Sequence, residues 1–132
     1  MSADDHPLEE YVRVAELRAR LRRFLRKSER VARRNGLTPQ RYLLLLMVKG
    51  APAGDERASV TELADRLQLA QSTVTELVGR AEEAGLVVRE TSRNDARVAY
   101  VRLTGLGEQR LTQAFDSLEG ERSALRDTLR EL

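Results

Sequence analysis

Between Leu8 and Arg34, apolar residues return every three or four positions, at Val14, Leu17, Leu21, Phe24, Leu25, Val31 and Ala32, with the small Ser28 in step. That spacing predicts one amphipathic helix, its other faces filled largely by arginine. Asn35-Gly36 stops it. A helix of about 25 residues spans roughly 37 Å, more than a chain of 132 residues needs for its own core. The stripe is therefore expected to meet a second chain. Thr38-Pro39 opens the next helix, with a capping hydroxyl and a proline at the first helical position. Tyr42, Leu43, Leu45, Leu46 and Met47 then leave few polar sides before Lys49-Gly50, which predicts a buried helix. Residues 51–56 read as a loop from their proline and glycine.

Ser59-Val60-Thr61-Glu62 has the spacing of a capping box, and Leu63, Ala64 and Leu67 follow on one side of a short helix. After a break at Gln68-Leu69-Ala70, a further helix is predicted over residues 71–84, built on Val74, Leu77, Val78 and Ala81 and closed by Gly85. The period then changes. Residues 86–91 and 98–103 are rich in β-branched side chains and predict two strands of a hairpin, joined by a polar tip at 92–97. Thr104 caps a last helical region reaching residue 132, with Leu106, Leu111, Phe115, Leu118, Leu125 and Leu129 on its apolar side and a bend expected at Gly120. The fold class is thus mainly α with a small β hairpin, in the order of a winged helix-turn-helix over residues 37–104 between helical segments 1–36 and 105–132.

Composition narrows function mostly by exclusion. The chain has no cysteine, which removes thiol redox chemistry, disulfides and cysteine-based metal sites. Its single histidine, His6, lies in a polar N-terminal tail without convergent partners, and no carboxylates show ligand spacing, so neither a metal nor a cofactor is expected. No glycine-rich phosphate loop is present, and an enzyme is not expected. Aromatic residues are 4%, too few for the stacking platforms of single-strand binders. The longest apolar run, 42–48, is too short for a bilayer. The start carries Asp4, Asp5, Glu9 and Glu10 instead of a basic leader. A cytoplasmic protein with no membrane partner is expected. Net charge is only +2, yet residues 11–34 hold nine arginines and Lys27 against Glu16 and Glu29. A helix so basic suits phosphates or forms a solvated outer face; charge alone leaves both readings open.

Two short helices across a tight turn, followed at once by a hairpin, are the parts of a winged helix. A helix fits the major groove, where each base pair shows a distinct donor and acceptor pattern. The hairpin beside it can place an arginine in the adjacent minor groove, where negative potential is strong.

From Leu37 to Arg110 the chain resembles the MarR (multiple antibiotic resistance regulator) family of transcriptional regulators. The resemblance rests on Leu37-Thr38-Pro39-Gln40, Thr61-Glu62-Leu63-Ala64, Ser72-Thr73-Val74-Thr75, Gly85-Leu86-Val87, Asp95-Ala96-Arg97, and Leu103-Thr104 with Gly107. Each piece is weak alone; their order and spacing together are specific. The resemblance implies a triangular winged-helix homodimer, with residues 37–104 as the winged part and residues 1–36 and 105–132 as the N- and C-terminal dimerisation helices of one interlocked domain. It implies binding to a pseudo-palindromic operator in double-stranded DNA, usually as a repressor, with release by a small organic anion or phenolic effector.

Carried over position by position, the resemblance makes Gln71, Ser72, Thr73, Thr75, Glu76 and Arg80 the recognition-helix candidates. It makes Arg97 the wing arginine for the minor groove, Asp95 the acid that steadies it by a charge-assisted hydrogen bond, and Arg93 a phosphate candidate. Two positions depart from the pattern. Glu76 stands where many relatives carry arginine; it repels phosphate, yet it can accept from cytosine N4, or it orients Arg80. Ala70 stands where a capping Ser, Asp or Asn is common, a loss of about 1 kcal/mol at the helix start. Tyr11, Arg18, Phe24 and Tyr42 are conceivable effector-lining residues, with core and dimer packing as the alternative for the aromatic ones. A winged helix that binds protein instead of DNA is the competing functional reading: Glu76, Glu82 and Glu83 suit it, and the intact Asp95-Ala96-Arg97 wing argues against it.

Overall fold

The computed structural model describes residues 6–91, 94 and 97–131. In chain order these form α1 (Leu8–Arg34), α2 (Pro39–Lys49), β1 (Arg57–Ser59), α3 (Val60–Leu67), α4 (Gln71–Glu83), β2 (Val87–Thr91), β3 (Ala99–Leu103), α5 (Gly105–Ser117) and α6 (Glu119–Arg130). The fold is mostly helical with a small antiparallel sheet, a winged helix between long terminal helices. Among the described residues no helix is long and apolar enough to cross a membrane, and no cluster of His, Asp or Glu is placed to hold a metal ion.

Helix α2 is the hub of the core. Thr38 caps it, its Oγ1 accepting from the Arg41 amide at 3.1 Å. Tyr42, Leu44, Leu45 and Val48 turn inward at three- and four-residue intervals, against Leu63 of α3, Val74 and Val78 of α4, and Val101 of β3. Leu43 instead points out, 39% exposed, so the helix is buried on one broad face and not all round. Burial holds the Tyr42 hydroxyl above its ordinary pKa.

The sheet has one strand more than the predicted hairpin. Its order is β1-β3-β2, with Ala58 opposite Val101 and Arg89 opposite Val101 on the other side. Strand β1 is three residues long and ends at the Ser59 cap of α3, so no alternating pattern marks it in the sequence. The Arg57 guanidinium lies 4.3 Å from the centre of the Tyr100 ring, fixing β1 to β3. The two predicted strands each begin one residue later than expected.

The C-terminal helical region breaks at Leu118, not at Gly120. Leu118 is 1% exposed and leaves helical geometry at φ −105°, ψ 8°, because its side chain is drawn into the core. Gly120 lies inside the first turn of α6. Helix α6 then returns along α1, where Arg20 donates to Thr128 Oγ1 at 2.8 Å and Lys27 pairs with Glu121. The lysine contact lowers the Glu121 pKa from its ordinary range.

Along α1, α5 and α6 the single chain leaves apolar groups in the open: Leu8, Tyr11, Val12, Val14, Leu25, Phe115 and Leu129 are all exposed, Val12 at 60% and Leu129 at 52%. The expected stripe is therefore only partly used by the chain's own core.

Candidate nucleic-acid interface

Ser59 starts the helix-turn-helix. Its Oγ accepts from the Glu62 amide at 3.1 Å, the half of the capping box that the serine supplies, while the Glu62 carboxylate accepts from the Ser59 hydroxyl at 3.2 Å and not from its backbone amide. Helix α3 ends at Gln68, whose left-handed backbone (φ 55°, ψ 48°) makes the turn. The Gln68 side chain donates to the Asp65 carbonyl at 2.6 Å, and the Leu69 amide donates to the Ala64 carbonyl at 3.0 Å. A residue without glycine's freedom is thus held in that conformation by bonds from both its side chain and its neighbour.

Helix α4 is anchored by Val74, Leu77, Val78 and Ala81, which are buried. One face is therefore pinned and the other presented. Ala70 at its start supplies no side-chain cap, and the first turn contains no acid. Its leading amides are accordingly available to a phosphate, an arrangement the helix dipole favours.

The candidate residues divide by what they already hold. Gln71 is exposed and its Nε2 donates to Thr61 Oγ1 across the turn at 3.4 Å. The Thr75 hydroxyl donates back to the Gln71 carbonyl at 2.9 Å. Thr73 is half-buried, while Ser72, Glu76 and Arg80 are exposed. Glu76 and Arg80 are not paired with each other or with any other described residue, so the reading in which Glu76 orients Arg80 is not what the structure shows. In the wing, Arg97 is exposed in the turn before β3. Arg93 and Asp95 lie outside the described residues. The hairpin's base is braced by Arg102 to Glu90 at 3.0 Å and by Arg89 of β2 to Glu82 of α4 at 3.6 Å.

Three features of the site go beyond what the sequence spacing shows. Thr61, placed by the sequence in the capping box and in a family-like stretch, also holds Gln71 across the turn. Gly79 lies within α4, and a Cβ added there meets nothing within 4 Å. A mid-helix glycine that no neighbour requires is a usable signal, since it costs about 0.5–1 kcal/mol relative to alanine. The third is the joint after the wing. Thr104 Oγ1 accepts from the Gly107 amide at 3.1 Å and donates to the Gly85 carbonyl at 2.5 Å, while the Thr104 amide donates to the Leu86 carbonyl at 3.0 Å. Gly85, at φ +76°, turns the chain there. This knot ties the end of α4 to the start of α5.

The conceivable effector-lining residues are not gathered in one place. Tyr11 stands edge-on to His6 near the start of α1, Phe24 lines a cleft between α1 and α6 with Leu125, Arg18 is exposed, and Tyr42 is in the core.

Residues 35–98 match the profile of the MarR family. Over 108 residues the chain is 31% identical to the transcriptional regulator MgrA of Staphylococcus aureus, a span covering 80% of this chain and 71% of that protein. Among solved structures, it is similar to apo MarR of E. coli, with a TM-score of 0.69 at 18% identity over 94% of this chain and 86% of that one. It is also similar to NadR, whose structure is a complex with 4-hydroxyphenylacetate, with a TM-score of 0.74 at 21% identity over 99% of this chain and 88% of that one.

Proposed function

Because the chain belongs to the MarR family of transcriptional regulators, which are not enzymes, we propose that it binds a pseudo-palindromic operator in double-stranded DNA as a homodimer and acts as a repressor. The observation that carries this reading is the outward face of α4. Four buried anchors fix the helix, its capless first turn is free of acids, and Ser72, Thr75, Glu76 and Arg80 face out. Residues 37–104 would do the reading, with Gln71 and Thr73 at the start of the helix and Arg93, Asp95 and Arg97 on the wing. Residues 1–36 and 105–132 would join the two copies, a role supported by the open apolar groups of α1, α5 and α6. Two-fold symmetry then sets half-sites about one helical turn apart.

Release by a small organic anion or phenolic compound is part of the proposal, supported by the likeness to a protein solved with 4-hydroxyphenylacetate. A shift in melting temperature with such compounds would reveal it. The test of DNA binding is a mobility-shift assay on the duplex flanking the chain's own gene, at several salt concentrations. The expected result is a retarded complex whose affinity falls steeply with salt and drops on Arg97→Ala while the dimer persists. No retarded complex on any genomic fragment would favour the protein-binding alternative.

A further inference from the structure

Ser72, Glu76 and Arg80 are spaced four residues apart, so they form one gently turning stripe along α4, about 12 Å from end to end. That is roughly three to four base-pair steps of duplex DNA. On this stripe the carboxylate is the anomaly. An exposed acid on a face meant for DNA repels phosphates. Glutamate four residues before a basic side chain is also the favoured order for a helical ion pair, yet Glu76 and Arg80 do not close one. The carboxylate is left with its full accepting capacity, turned to the side opposite Val74, Leu77 and Val78. Gly79 lies beside it on the outward face with open space where a side chain would stand, so the helix backbone can approach the base edges closely enough for a short side chain to reach them. The neighbouring candidates are less free: the Gln71 amide is engaged with Thr61, and the Thr75 hydroxyl with the Gln71 carbonyl.

We infer that Glu76 is a specificity-determining residue that reads a cytosine in each half-site, its carboxylate accepting from the cytosine N4 amino group in the major groove. This rests on the proposed DNA-binding function and deepens it. The donor fits because cytosine offers an amino group there without the adjacent acceptor that adenine N7 presents to a carboxylate. Arg80, one turn on, offsets the repulsion between the acid and the backbone. The chain thus spends general affinity for DNA on selectivity at one base pair.

Selection from a randomised duplex library at fixed salt, with the full-length protein and its Glu76→Gln and Glu76→Ala variants, tests this. Wild type is expected to fix a C·G pair at one position of each half-site and to bind a duplex changed there to T·A about 5- to 150-fold more weakly. Glu76→Gln should move the preference toward adenine, and Glu76→Ala should abolish it while binding unrelated duplex DNA as well as wild type or better. If both variants keep the same cytosine, or if they gain affinity equally for every sequence, Glu76 only repels phosphate and the inference fails. If wild type selects no DNA at all, the failure belongs to the DNA-binding reading itself.

Discussion

Replacing Gly107 by alanine should destabilise the chain by about 2–4 kcal/mol, although alanine is the better helix former. A Cβ at this position would sit 2.1 Å from the Leu86 carbonyl oxygen and 3.1 Å from its carbon. Both are backbone atoms, so relief requires moving α5 away from the base of the wing. Such overpacking costs about 1–3 kcal/mol. The same shift stretches the bond from the Gly107 amide to Thr104 Oγ1, a cap worth about 1 kcal/mol. It also strains the Thr104 amide bond to Leu86, worth about 1 kcal/mol more. Against these stands a helix-propensity gain of at most about 1 kcal/mol. Thermal and urea unfolding followed by far-ultraviolet circular dichroism, at fixed protein concentration, measures the balance. A chain of this size loses roughly 3–5 °C per kcal/mol, so a fall of roughly 6–20 °C is expected. Gly79→Ala is the matched control, since its Cβ meets nothing within 4 Å; it should raise stability by about 0.5–1 kcal/mol. A Gly107→Ala protein that melts within a degree or two of wild type would refute the packing argument.

Ala70→Ser should restore a side-chain cap to α4 and raise stability by about 1 kcal/mol; an unchanged urea midpoint would mean that the turn already satisfies those amides. Val12→Glu and Leu129→Glu each place a charge on an open apolar group that the isolated chain does not bury. Sedimentation should show both variants at the single-chain mass of 14.9 kDa, and a pair that persists in both would move the subunit contact elsewhere. Glu121, held below the ordinary glutamate range by Lys27, contributes stability that is present above the unfolded pKa and lost as pH falls through the folded one. Melting temperature should therefore decline on acidification below the ordinary glutamate range, less steeply in Glu121→Gln. Parallel curves would show that the contact between α1 and α6 carries no such linkage.

The long helices, the capping box and the anchoring residues of α4 were legible because each depends on local spacing: Ser59 to Glu62, and Val74 to Leu77 to Val78. Strand β1 was not, because three residues cannot display a period and their pairing with Arg102, Val101 and Tyr100 is decided across some 40 positions of sequence. The C-terminal break was misplaced for a related reason. Gly120 has the local freedom to bend, yet the bend follows the burial of Leu118, which only the assembled core dictates. At the candidate interface, the polar positions of α4 could be read from sequence. Which of them hold internal partners could not, since Gln71 is engaged by a threonine on another helix and Glu76 is left unpaired by side-chain geometry that spacing alone does not fix.

The knot at Thr104 makes the chain a caliper. Because the end of α4 is bonded through Gly85 and Leu86 to the first turn of α5, the jaw that measures a groove is rigidly mounted on the arm that would meet a second copy. In the proposed pair, the gap between the two jaws is then set by the angle of the arms and not by any residue that touches a base. A perturbation confined to the far ends of the arms would change which operator spacing fits while leaving the preferred half-site sequence untouched.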